Sequence, residues 1–179
     1  RGGLPSRWYR KSAVAARQLR IWLVFELVGY GLLVYWLTGR GWSCAASLWL
    51  AVGLFLGLRA LIVATSVAFM LVDSSPVPRE LRIGPFDFLR LLLQEFVGMI
   101  VLFAIVQPFE RYWLGTDRLR PSPQRPPLLL IHGYQCNRGA WFWLRSHLEA
   151  AGWVVATHSL EPVLADIDNY AAGIAQRID

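Results

Sequence analysis

Two long apolar runs constrain the fold of this chain more than any other feature. The first is Ile21–Leu37 and the second is Trp42–Val72. A helix rises 1.5 Å per residue, so a run of about seventeen residues is the shortest that crosses a hydrocarbon core of about 30 Å. The link between the runs contains two glycines, as a tight turn between helices would. The sequence therefore predicts a transmembrane helical hairpin over residues 21–72.

Each apolar run contains one charged residue, Glu26 in the first and Arg59 in the second. Charges inside a membrane are costly, so these two residues could form an ion pair or line a polar path. Glu26, however, stands only five residues after the start of its run, near enough to an interface for its carboxylate to reach water. We favour this second interpretation, in which each side chain reaches the membrane surface separately.

The net charge of +6 comes largely from the N-terminus, where six basic residues and no acidic residue fall within the first twenty positions. They are Arg1, Arg7, Arg10, Lys11, Arg17 and Arg20. Directly before an apolar run, such a cluster predicts a basic juxtamembrane segment, residues 1–20, that contacts anionic lipid. No nucleic-acid recognition motif accompanies the charge, so the predicted partner is the lipid bilayer and not nucleic acid.

Residues 73–127 are predicted to connect the hairpin to a second domain. A polar loop broken by prolines opens this region. Residues 86–107 are predicted to be either an interfacial helix or a third membrane helix, because the apolar stretch Phe96–Val106 is shorter than a typical span. The segment Arg118–Pro127 has four prolines in ten residues, which predicts a stiff linker before a new domain.

The distribution of basic residues predicts which side of the membrane the C-terminal domain occupies. If residues 86–107 cross, eight basic residues near the helix ends lie inside and five lie outside. If they do not cross, only Arg40 lies outside. Because basic residues accumulate on the cytoplasmic side, the sequence favours two crossings and a cytoplasmic C-terminal domain.

Residues 128–179 have the pattern of alternating strands and helices. Leu128–Ile131 is a continuous apolar run, typical of a strand buried on both faces of a parallel sheet. A helix is predicted over Arg138–Ala151, a second strand over Trp153–Thr157 and a second helix over Ile167–Ile178. The order β-α-β-α predicts the α/β class with a parallel sheet.

The segment LLLIHGYQCNRGAW, with its strand, its His-Gly pair and its following helix, resembles the α/β-hydrolase superfamily. Within that superfamily it is similar to bacterial membrane-anchored lipase- and esterase-like serine hydrolases, over residues 128–179. The resemblance implies that these residues are the truncated start of an α/β-hydrolase sheet. It also implies hydrolysis of carboxylic esters, a lipid-like small-molecule substrate, no cofactor and a place in the bacterial inner membrane.

The resemblance further implies an oxyanion loop directly after the first strand. When a serine attacks an ester, backbone N–H groups stabilise the developing oxyanion. Tyr134, with Gln135 as the second candidate, would supply the N–H group of this loop, and the residue after the nucleophile would supply the other. His132 and Gly133 would shape the loop. His132 is not expected to be the catalytic base, because in this superfamily the base follows the nucleophile along the chain.

The catalytic triad is not predicted within the chain. Ser159 follows a predicted strand, but a nucleophile elbow needs glycine on both sides and Thr157 and Glu161 stand there. We therefore expect the serine, acid and histidine to follow Asp179, and a fragment ending there to be inactive. No metal-ligand spacing is present, so no metal is predicted.

The sequence leaves two other functions open. The chain could be a membrane protein without catalytic activity whose soluble domain binds a partner. It could also be an acyltransferase, in which an alcohol instead of water accepts the acyl group.

Overall fold

A computed structural model describes residues 13–72, 78, 82–119, 125–163 and 165–178. Most of the predicted basic segment, most of the predicted polar loop and part of the proline-rich linker lie outside these residues. The chain divides into two compact units. We call Val24–Val101 the helical unit, and Arg1–Leu23 together with Leu102–Asp179 the composite unit.

Three long helical segments form the first two thirds of the described chain. They are α1, Ala13–Gly39, α2, Cys44–Val72, and α3, Pro85–Ile100. A π-helical turn and a 3-10 turn then lead from α3 into the short helix α4, Glu110–Leu114. The segments 14–39, 44–72 and 85–114 are each long and apolar enough to cross a membrane. The third helical segment is thus longer than its apolar stretch indicates.

The turn between α1 and α2 is built from local hydrogen bonds. Gly41 has φ +89°, and the N–H groups of Gly41 and Trp42 donate to the carbonyls of Thr38 and Leu37, each at 3.1 Å. This is the Schellman arrangement, which places glycine in the left-handed conformation just after a helix. Ser43 then caps α2, because its hydroxyl oxygen accepts a hydrogen bond from the N–H three residues later at 3.2 Å.

Side-chain contacts show that α1 and α2 run antiparallel in the helical unit. Arg59 forms an ion pair with Glu26, and Phe55 meets Tyr30 edge to face with ring centroids 6.3 Å apart. From Glu26 to Tyr30 the residue numbers increase along α1, whereas from Arg59 to Phe55, their partners, the numbers decrease along α2. The interpretation that Glu26 and Arg59 reach the membrane surface separately is therefore wrong, because the two charges neutralise each other.

The surfaces of α1 and α2 are apolar and exposed. Trp22, Trp49 and Phe69 are each more than 70% exposed. The buried residues of α2 are the small Ser47 and Ala51, which allow another backbone to come close. Helices with apolar side chains all round and few buried positions are suited to a lipid environment.

A small β-α-β-α motif lies in the composite unit. Its strands are β1, Leu128–Ile131, and β2, Val155–His158, which are parallel and pair in register from the first residue of each to the last. A 3-10 turn, Arg138–Trp141, and α5, Phe142–Ala150, connect the strands. The last helix, α6, is Asp168–Ile178.

The predicted fold class, α/β with the start of an α/β-hydrolase sheet, is wrong. The chain is mostly helical, and its described residues contain one sheet of two short strands. A hydrolase sheet would cover β1 on both faces, yet Leu128, Leu129 and Leu130 are only half-buried and Ile131 is exposed. Four consecutive apolar residues predict a strand, but they do not specify how many strands lie beside it.

The core of the composite unit is largely polar. Its buried apolar residues include Val106, Val155 and Tyr170. The buried polar or charged residues in the same unit are more numerous: Gln107, Glu110, His132, Asn137, Arg138, Arg145 and Thr157. Hydrogen bonds and ion pairs between these side chains therefore carry much of the specificity of this unit.

Candidate functional site

The loop that follows β1 begins with a buried histidine. The His132 side chain accepts a hydrogen bond at Nε2 from the Leu160 N–H at 2.9 Å, and its Nδ1 lies 2.7 Å from the Gly133 carbonyl oxygen. These contacts assign the proton to Nδ1. Burial lowers the pKa of the His132 imidazole, although the Gly133 carbonyl opposes that effect. His132 thus joins the loop after β1 to the loop after β2, and both its nitrogens are engaged.

We call the contacts of His132 the first clamp of the loop. The contacts of Asn137 form a second clamp at its other end. The Asn137 N–H donates to Gln107 Oε1 at 3.0 Å, and Asn137 Nδ2 donates to the Gln107 carbonyl at 2.9 Å. Asn137 Oδ1 accepts from the Gly139 N–H at 2.8 Å, and both Asn137 and Gln107 are fully buried. A Cβ at Gly139 would lie 2.7 Å from Asn137 Oδ1, so this position requires glycine. No local motif could have identified Gln107, which is thirty residues from its partner.

Between the two clamps lie Gly133, Tyr134, Gln135 and Cys136. In the part of the chain that the structure describes, the N–H groups of Tyr134 and Gln135 have no hydrogen-bond partner. Gln135 is in the left-handed conformation with φ 59°, and Tyr134 is 64% exposed. A Cβ at Gly133 would meet nothing within 4 Å. The loop therefore combines available backbone donors with open space for a ligand.

The loop after β2 contains the serine that sequence reasoning set aside. Ser159 Oγ accepts a hydrogen bond from the Arg138 N–H at 3.1 Å. The neighbouring His158 packs against α6, where a Cβ at Gly173 would lie 3.5 Å from its Nε2. Burial, with the nearby charges of Arg177 and His132, lowers the pKa of His158. Among the described residues no hydrogen bond joins Ser159 to His158, so they do not form a nucleophile–base pair.

A buried carboxylate beside β2 organises the charged core, and sequence reasoning missed it. Asp117 accepts hydrogen bonds from Arg145 at 2.9 Å, from Arg177 at 2.6 Å, and from the hydroxyl and N–H of Thr157, both at 2.9 Å. Arg138 Nη1 lies 3.5 Å away, and the Asp117 side chain is only 2% exposed. Asp117 therefore ties α5 and α6 to β2.

The remaining charges of this cluster are also paired. Arg138 Nε lies 3.8 Å from Glu110 Oε1, and Arg145 Nε donates to Glu149 Oε1 at 2.7 Å. Three arginines thus face three carboxylates, which makes the cluster a structural network. Asp117 gave no sequence signal because an acid between a glycine-containing turn and a basic segment is usually solvated.

The cysteine of the loop has the features of a structural side chain. Burial raises the pKa of the Cys136 thiol, with a smaller opposing contribution from Gln107. A protonated thiol is a poor nucleophile. Among the described residues, no group of three or more His, Cys, Asp or Glu side chains is placed to hold a metal ion.

Comparison of the chain with protein-family models, with curated proteins and with solved structures finds no match. These comparisons therefore do not test the resemblance of LLLIHGYQCNRGAW to serine hydrolases, which rests on those residues alone.

Proposed function

We propose that residues 132–135 form the oxyanion-binding loop of a membrane-anchored serine hydrolase that acts on carboxylic esters. The observation that carries the proposal is the pair of N–H groups, on Tyr134 and Gln135, that have no partner among the described residues. Backbone donors aimed at a developing oxyanion each stabilise the transition state by about 3 kcal/mol. A donor already bonded to a carbonyl of its own fold could not do this.

The two clamps support the proposal because they fix the ends of the loop. His132 is bonded to the Leu160 N–H, and Asn137 is bonded twice to Gln107. Donors contribute most to catalysis when they are held in position before the reaction begins. The proposal depends on this loop and its clamps and does not require the α/β-hydrolase sheet.

The loop is one part of the machinery that ester hydrolysis needs. No Gly-x-Ser-x-Gly motif occurs in the 179 residues. In a serine hydrolase the nucleophile, the base and the orienting acid work together, and the oxyanion donors complement them. The proposal therefore assigns the triad to sequence other than these residues.

We also propose that the composite unit is cytoplasmic, at a bacterial inner membrane. Arg20 Nη1 donates to the Pro108 carbonyl at 2.7 Å, and the Val14 N–H donates to Glu161 Oε1 at 3.2 Å. The C-terminal part of the third helical segment and the loop after β2 thus contact the beginning of α1. That end of α1 carries the basic residues Arg17 and Arg20, which favours the cytoplasmic side.

The distribution of apolar and charged residues on α3 is compatible with a cytoplasmic composite unit. Phe88, Leu92 and Phe96, spaced four residues apart, are its half-buried positions near the start. Asp87 and Arg90 are exposed on a different face. A helix with one apolar and one charged face is suited to the membrane interface, so we propose two crossings with the third helical segment lying at the surface.

The catalytic proposal is tested with the protein as its gene encodes it, in native membranes. We expect labelling by a fluorophosphonate probe and turnover of a p-nitrophenyl ester. Gly133→Val should lower kcat by roughly a hundredfold, because the valine side chain would fill the open space beside the donors, and a substrate displaced by about 1 Å can have this effect. Because a Cβ at Gly133 meets nothing within 4 Å, the variant should unfold at the wild-type temperature.

The comparison variant is Ser159→Ala, whose kcat should stay within about twofold of wild type, because a loop hydroxyl away from the reacting atoms contributes little to the barrier. An inactive but folded Ser159 variant together with a fully active Gly133 variant would place the site after β2. Absence of both labelling and turnover would instead favour a partner-binding protein without catalytic activity.

Sidedness is tested by a phosphatase fused at Gln124, and high periplasmic activity would contradict the two-crossing topology.

A further inference from the structure

A cavity lies within the composite unit, away from the candidate oxyanion loop. Its volume is about 500 Å³. The residues that line it come from the beginning of α1 and from the segment around α4: Ala16, Arg20, Phe109, Glu110, Arg111 and Tyr112. The wall thus contains two arginines, one carboxylate and two aromatic rings.

The charge of this cavity is positive. Arg20 donates one N–H to the Pro108 carbonyl at 2.7 Å, which fixes its guanidinium, and a guanidinium has five N–H donors in all. Arg111 stands on the same wall. The Glu110 carboxylate is 1% exposed and lies 3.8 Å from Arg138 Nε, so Arg138 balances its charge. The lining therefore contains two arginines and one carboxylate, and its formal charge is positive.

The position of the cavity along α1 corresponds to the headgroup region of a bilayer. Arg20 directly precedes the apolar run that begins at Ile21. The nearby aromatic side chains Trp22, Tyr112 and Trp113 are exposed, by 71%, 89% and 48%. Tryptophan and tyrosine collect where a membrane meets water, because their rings have an apolar body and a polar end.

We infer that this cavity binds the phosphate group of an anionic phospholipid. Arg20 and Arg111 would hold the phosphate oxygens, for which the planar guanidinium is well matched. Phe109 and Tyr112 would contact the glycerol and the first acyl carbons. This site lies outside the oxyanion loop, so it does not depend on ester hydrolysis.

The test uses the full-length protein purified in a zwitterionic detergent. Short-chain phosphatidylglycerol, short-chain phosphatidylcholine and inorganic phosphate are titrated separately, and binding is measured by native mass spectrometry. We expect phosphatidylglycerol to bind at least tenfold more tightly than the other two. Arg111→Gln should weaken this binding about tenfold, as the loss of a charged hydrogen bond does. Arg111 is exposed, so its replacement should leave the fold intact.

The matched control is Arg40→Gln, at the opposite end of α1, where the guanidinium lies 5.0 Å from the Trp36 ring centroid. It should bind phosphatidylglycerol as the wild type does. Arg20→Lys, which keeps the charge but loses the planar fork, should weaken binding by a smaller factor than Arg111→Gln does. Equal loss in Arg40→Gln and Arg111→Gln would overturn the inference, as would equal affinity for the two lipids. Binding of inorganic phosphate as tight as that of phosphatidylglycerol would overturn the lipid as the ligand.

Discussion

Both units of the molecule contain arginine–carboxylate pairs with little exposed surface, but in different surroundings. In the helical unit Arg59 and Glu26 form a single bidentate pair, with Nη2 and Oε2 2.5 Å apart, on helices whose large apolar side chains are exposed. In the composite unit Asp117 gathers three arginines in a core with few apolar side chains. The Arg59–Glu26 pair neutralises two charges that would otherwise be isolated in apolar surroundings. The Asp117 cluster, in contrast, forms the core of its unit.

This difference determines how replaceable each set of charges is. A lone ion pair can be exchanged for apolar side chains of similar size with little loss, because both charges disappear together. A carboxylate shared by several donors cannot, since its removal takes one partner from each of them at once. We therefore expect the two units to respond differently to the same kind of substitution.

The largest loss of stability is expected from Asp117→Asn. This change removes the negative charge that faces Arg138, Arg145 and Arg177, and breaking a buried pair in this way costs about 3–5 kcal/mol. Hydrogen exchange of the β2 and α6 amides in the purified protein should become fast while the α2 amides stay protected. The control, Asp87→Asn at the start of α3, should exchange like the wild type. Unchanged protection of β2 would show that the cluster does not hold this unit together.

A smaller effect is expected from Glu26→Gln, because one unpaired arginine in a membrane helix costs about 2–3 kcal/mol. The double variant Glu26→Leu with Arg59→Leu should recover to within about 1 kcal/mol of wild type. The free energy of unfolding in micelles, measured by steric trapping, provides the comparison. A double variant less stable than the single one would mean that the pair does more than neutralise two charges.

The smallest change in stability is expected from a change of pH. Burial lowers the pKa of His132 below 6.5, so the folded state favours the neutral imidazole. The stability that this provides is complete above pH 6.5, the value for the unfolded chain, and is lost as pH falls towards the folded-state pKa. His158 has a lowered pKa as well and adds in the same direction.

The pH prediction is checked by thermal unfolding of the composite unit, within the whole protein, between pH 5 and pH 8, a range of about one unit or more on either side of an ordinary histidine pKa. His132→Gln should reduce the dependence on pH, and His147→Gln, an exposed position on α5, should leave it unchanged. Stability that increases as pH falls would contradict the assignment of a neutral, buried His132.

Features with local causes could be predicted from the sequence. The bounds of β1, Leu128–Ile131, are the same in the prediction and in the structure, because a short apolar run between a proline-rich linker and a glycine is itself the signal for a strand. Gly152 follows the end of α5, where its φ of +82° suits glycine. The second strand, in contrast, is displaced: it begins at Val155 and not at Trp153.

Features with distant causes could not be predicted. The pairing of Glu26 with Arg59 depends on the register between two helices, which neither apolar run contains. Asp117 contacts residues 21 to 60 positions away, so no local pattern indicates its burial. The position of the loop that starts at His132 is determined by the strand before it, but its clamp to Gln107 is not.

Asp117 also limits how the two-stranded sheet can grow. A strand at the edge of a sheet presents unpaired N–H groups that another strand can bind. On β2 the Thr157 N–H points away from β1 and donates to Asp117 Oδ2 at 2.9 Å. A third strand, from this protein or from another molecule, would have to displace a carboxylate that several arginines hold in place. Asp117 therefore protects the β2 edge of the sheet from edge-to-edge aggregation.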